Sequence, residues 1–179
     1  MQQRAKDPDR KMVPRVVILA LGLVALIWAI HYSSAEARMC RATARVVRLV
    51  EKSGEESPVS LGLAANRLGG FLSAPAVLEL ADAGPLATGR PEIVQLFAQI
   101  RSSLETIAFE QPEIGAVAAG KGTVDVHVAA RYRLVPTGSA AAEGRGTAER
   151  RWRKGKDGWQ ISRAKLTPAE GTHLPQGWQ

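Results

Sequence analysis

From Val16 to Ile30 the chain runs fifteen residues without a charge. A signal-peptide core has about 7–15 apolar residues, and a spanning helix needs about 20. Widening the window to Met12–Tyr32 adds only Arg15 and His31 as strongly polar positions. Both lie near the ends, where long or amphipathic side chains reach the interface. Trp28 and Tyr32 fall where an aromatic belt would lie. The pattern predicts an uncleaved transmembrane anchor over residues 13–32, behind a basic leader over 1–12. The alternative is a signal peptide cut near Ala35, since Ser33-Ser34-Ala35 supplies small residues. Cys40 follows Ala37-Arg38-Met39, which lacks the small residue a lipoprotein cysteine needs just before it.

Beyond the run the apolar period becomes helical. Met39, Ala42, Val46, Leu49 and Val50 share one side of a helix over 36–52, and Arg38, Arg41, Arg45 and Arg48 recur mostly on the other. No Gly or Pro separates this helix from the apolar run, so the two are expected to form one rod. Ser53 to Pro58 stops it, and a second helix spans 58–72. A short strand is expected at 76–81. A third helix spans 91–102, with Ile93, Leu96, Phe97 and Ile100 on one face.

Then the period drops to two. A strand over 104–117 is broken or bulged near Pro112. Residues 123–135 alternate: Val124, Val126, Val128, Ala130, Tyr132 and Leu134 face one way, and Asp125, His127, Arg131 and Arg133 the other. A loop over 136–143, a strand over 144–154, a turn at Lys156-Asp157-Gly158 and a strand over 159–166 complete the domain. Residues 167–179 read as an irregular tail. Helices early and a meander late predict an α+β class, with the helices wrapped by a curved antiparallel sheet.

At its end the sequence Arg151-Trp152-Arg153-Lys154-Gly155-Lys156-Asp157-Gly158-Trp159-Gln160-Ile161 resembles the final hairpin of the nuclear transport factor 2-like superfamily, which includes the SnoaL-like and cystatin-like folds. The long strand before it and the helical opening fit as well, so the resemblance covers about residues 36–166. It implies a cone: a curled sheet closed by helices, used by some members as a ligand pocket and by others as an assembly module. The layout of a short tail, one span and such a domain is also similar to the bitopic subunit of type IV secretion systems.

Charge then sets location and narrows the partners. The net charge is +7, of which residues beyond 32 keep +4. A mildly basic domain without interleaved aromatics is not a nucleic-acid binder. Five basic residues precede the span, while Arg38, Arg41 and Arg45 follow close behind it. The excess puts the N-terminus in the cytoplasm. The Ala-, Gly- and Arg-rich composition points to a bacterium, and hence to an inner-membrane protein with a periplasmic domain.

Catalytic material is sparse. Asp125 and His127 are about 7 Å apart on one face of one strand and could act as a general-base pair, but Arg131 and Arg133 on that face read as solvated surface. Tyr132, on the apolar face, could donate at a pocket mouth. No residue is assigned a catalytic role beyond these candidates. Three scattered His residues and one Cys make no metal set, and no cofactor is expected. Two basic features read as contact surfaces: Arg38, Arg41, Arg45 and Arg48 for lipid or a partner, and Arg151, Arg153, Lys154 and Lys156, with Arg145 and Arg150, for docking an acidic partner. The expected function is a membrane-anchored, non-catalytic interaction module, through a protein partner or self-association. The alternative is a cone that binds or converts a small apolar ligand.

Overall fold

The computed structural model describes residues 34–169. The leader, the expected anchor and most of the C-terminal tail lie outside the described residues. Among the described residues no helix is long and apolar enough to cross a membrane.

Three helices open the domain. Helix α1 (Ala35–Val50) starts at an N-cap, Ser34, whose extended backbone (ψ 153°) lies outside the helix and whose Oγ accepts from Ala37 N at 3.1 Å. A capping serine satisfies one of the free N–H groups of a new helix. The expected uninterrupted rod is therefore corrected: α1 begins afresh at Ala35. Its buried seam is Met39, Ala42, Thr43, Val46 and Val47, and Arg38, Arg45 and Arg48 are exposed. Lys52 leaves the expected helix and enters a two-residue strand, β1 (Lys52–Ser53). Helix α2 (Pro58–Phe71) is capped by Ser57, and buries Ala64, Ala65, Leu68 and Gly69. A Cβ on Gly69 would meet Val94 Cγ2 at 3.4 Å, an ordinary packing distance, so α2 rests against the third helix there.

Two strands intervene before that helix. β2 (Leu72–Leu80) and β3 (Gly84–Thr88) pair antiparallel. Helix α3 (Arg90–Ser103) then buries Ile93, Phe97 and Arg101 at successive four-residue steps. Glu92 accepts from Thr88 N at 2.8 Å, fixing its first turn. The long strands β4 (Leu104–Gly120), β5 (Thr123–Pro136), β6 (Ala142–Gly155) and β7 (Gly158–Pro168) complete the chain. The β4 register shifts between Glu110 and Glu113, around Pro112, and Gln111 there has φ 46°. A bulge of this kind bends the strand.

The sheet order is β1-β4-β5-β6-β7-β2-β3. The expected all-antiparallel sheet is corrected to a mixed one, because β2 runs parallel to β7. β2 emerges directly from α2 and joins the free side of the last strand, a pairing no local pattern announces. Val124, Val126, Val128, Ala148, Trp152 and Ile161 bring the concave face into the core with the helix seams. Trp152 sits at its centre, 1% exposed, its Nε1 donating to Thr43 Oγ1 at 3.1 Å.

Candidate functional site

Strand parity sorts the expected site residues onto two faces. Asp125, His127, Arg131, Arg133, Glu149, Arg151 and Arg163 alternate away from the buried row and form the convex face. Arg151 donates to both Asp125 oxygens, at 2.8 Å each. These hydrogen bonds hold the Asp125 carboxyl below the ordinary aspartate range, and Asp125 in turn raises the Arg151 pKa. The stabilisation from this pair is thus present above the unfolded aspartate value of about 3.9, and is lost as pH falls through the lower folded value. A carboxylate so engaged is a poor general base. His127 Nδ1 lies 3.8 Å from Glu149, with both side chains about 60% exposed. Arg163 binds Glu79 at 2.7 Å, and Arg133 lies 3.4 Å from Glu143. The convex face is a lattice of exposed ion pairs, each worth little alone. Two grooves of about 310 and 180 Å³ occur nearby, the larger lined by Glu110, Arg131, Tyr132, Arg133 and Arg145, the smaller by Asp125, His127, Glu149, Arg150 and Arg151.

The basic hairpin divides three ways. Arg151, expected at a docking surface, is held by Asp125. Arg153, Lys154 and Lys156 are exposed at the β6–β7 end. Arg150 turns the other way: it pairs in register with Val126 and Ala164, between buried Ala148 and Trp152 on its own strand. Its Nη1 is buried and has no hydrogen-bond partner among the described residues. Burial pushes its pKa down to about 10, so it stays charged at neutral pH. Tyr132 shares the concave face, and its hydroxyl is likewise buried without a partner. Its ring lies over Gly146, where a Cβ would approach it to 3.5 Å and the Thr167 carbonyl oxygen to 3.3 Å. Cys40 is a free, half-buried thiol on α1, its pKa raised chiefly by burial. No cluster of three or more His, Cys, Asp or Glu able to hold a metal occurs among the described residues.

Sequence reasoning missed Arg101. Its Nε and Nη2 bind Glu56 at 2.6 and 3.2 Å, while Nη1 donates to the Leu49 and Val50 carbonyls at 2.8 and 2.9 Å. Lys52 Nζ answers by donating to the Arg101 and Leu104 carbonyls at 2.9 and 2.6 Å. Each cation closes the C-terminal end of the other's neighbouring helix, where carbonyls lack partners.

A sharply curved sheet with three helices inside its curve is the decisive geometry. The fold is NTF2-like. An NTF2-like protein with a cystatin-like fold from Novosphingobium aromaticivorans matches with a TM-score of 0.54, at 13% identity over 83% of this chain and 89% of that one. An NTF2-like superfamily protein from Salmonella enterica gives 0.57, at 11% identity over 79% and 96%. A protein proposed as a scytalone dehydratase, also from Novosphingobium aromaticivorans, gives 0.59, at 13% identity over 77% and 89%. No family model and no curated protein sequence matches the chain. At these identities the likeness of NTF2-like structures is one of fold alone.

Proposed function

We propose that this chain is a single-span inner-membrane protein of a bacterium, whose NTF2-like domain acts in the periplasm as a non-catalytic interaction module. The observation that carries the reading is the exposed row Arg38, Arg45 and Arg48 on α1, opposite the buried seam and starting a few residues after the apolar run. A cationic face at that position meets anionic headgroups, at about 1 kcal/mol per residue close to the surface. Arg153, Lys154 and Lys156 offer a second exposed cationic patch for an acidic partner or a second copy.

Crosslinking of the full chain in intact membranes tests this. The expected result is a crosslinked complex that contains a partner protein or a second copy and weakens when Arg153, Lys154 and Lys156 are changed to Glu. A chain that crosslinks only as monomer contradicts it.

A second reading has its own support. The unpartnered Arg150 and Tyr132 groups lie on the face that would line a ligand cone, and a structural neighbour is named as a proposed dehydratase. On that reading the domain binds, or in a SnoaL-like manner converts, a small apolar ligand.

A further inference from the structure

The two edges of the sheet are treated differently. β3 closes one edge, and it is five residues long with Pro85 inside it. Short strands and prolines are ordinary means of blunting an edge. β1 and β4 share the other edge, where β1 covers only Thr106 and Ile107. The register shift around Pro112 then interrupts β4. From Ile114 to Gly120 neither device operates: the segment holds no charge and no proline. No strand pairs with its outer side among the described residues, and Val117 at its middle is 63% exposed. Every second residue of such a strand directs its N–H and C=O away from the paired neighbour, here β5.

We infer that this bare half of β4 is a self-association edge, which pairs antiparallel with the same segment of a second copy about a two-fold axis at Val117. The inference rests on the interaction-module reading and deepens it by naming the partner and its surface. It uses none of the cationic patch at Arg153, Lys154 and Lys156. Three features choose a second copy over another extended chain. First, the charges are self-complementary. Glu113 and Lys121, both exposed, stand four positions before and four positions after Val117. An antiparallel two-fold at Val117 sets Glu113 of each copy opposite Lys121 of the other, so the favourable pair occurs twice. Parallel pairing, or an axis moved by one residue, loses both contacts. Second, the segment between the charges is small and apolar. Gly115, Ala116, Ala118 and Ala119 surround Val117, so two backbones can meet with Val117 on Val117 at the axis. Third, the pairing closes. It consumes the bare edge of both copies and leaves outward only the blunted β3 edges, so a dimer forms and not a fibre.

The test is disulfide trapping of the full chain in membranes, in a Cys40→Ser background that removes the native thiol. Val117→Cys should give a covalent homodimer on mild oxidation, since a residue on the axis faces its own copy. Leu86→Cys, exposed on the β3 edge, should stay monomeric. Charge reversal then tests the register. In the Val117→Cys chain, Glu113→Lys or Lys121→Glu alone sets like charges opposite each other and should cut the dimer yield several-fold, and the two together should restore it. The substituted edge positions are exposed, so each variant should keep the Tm of its background. No disulfide at Val117, equal trapping at Leu86, a mixed disulfide with a different protein, or no rescue by the double reversal would each overturn the proposal. Changing Arg153, Lys154 and Lys156 to Glu should leave the Val117 disulfide unchanged, and its loss in that variant would overturn edge pairing in favour of the cationic patch. A chain that crosslinks to a partner in membranes but forms no Val117 disulfide keeps the interaction reading and loses this one.

Discussion

Changing Arg101 to alanine is expected to destabilise the domain by about 3–5 kcal/mol, the usual cost of breaking a buried ion pair from one side. The side chains of Arg101 and Glu56 are 9% and 14% exposed, so the loss leaves Glu56 with little water to solvate it. It also strips the Leu49 and Val50 carbonyls at the end of α1 of their donor. The Arg101 guanidinium lies 5.6 Å from the Phe97 ring centroid, a packing contact that alanine removes too. Arg101→Lys keeps the charge but cannot reach Glu56 and two carbonyls with one ammonium, so it should recover only part of the loss. Glu56→Gln, which retains an acceptor, should cost less than Arg101→Ala. Urea unfolding followed by tryptophan fluorescence reads all three. A loss below about 1 kcal/mol for Arg101→Ala would show that the latch is a surface ion pair in energetic terms.

Trp152→Ala should cost about as much, 3–5 kcal/mol, for a different reason. The ring fills the junction of β6 with α1 and α2, edge-on to Phe71 at 6.3 Å between centroids and 89° between planes. Its removal leaves a cavity and an orphaned Thr43 hydroxyl that is 0% exposed. Trp152→Phe separates the two contributions. It keeps most of the apolar volume but loses the 3.1 Å hydrogen bond, and should cost about 1–3 kcal/mol. Trp152→Phe as damaging as Trp152→Ala would mean that the hydrogen bond, not the packing, dominates.

How far these features can be read from the sequence depends on whether the signal is local. The alternation of Val124, Val126 and Val128 against Asp125 and His127 is a local two-residue period, and β5 follows it directly. The α1 seam is equally local. Strand β3 was hidden because Gly84, Pro85 and Gly89 look like punctuation around a segment only five residues long. The parallel β2–β7 pairing joins distant segments and leaves no local trace. Arg101 and Arg150 are more instructive. Stepping by four from Ile93 through Phe97 places Arg101 on the buried side of α3, and stepping by two from Ala148 to Trp152 places Arg150 inside the sheet. Both signals were present. Counting hydrophobic residues along each face hides a charged residue on the apolar side, and at Arg101 such a residue is the latch. Ser34 likewise carries a local signal, a capping serine ahead of Glu36, that the absence of Gly and Pro obscured.

The membrane tether is the central claim for the chain, and its N-terminal processing tests it most directly. Cleavage near Ala35 would remove both the apolar run and the Ser34 cap, which contributes about 1 kcal/mol to α1. The direct measurement is the intact mass of the protein recovered from fractionated cells. The expected result is the full 19.2 kDa chain, retained in the membrane fraction. A soluble species that begins at Glu36 would contradict the tether.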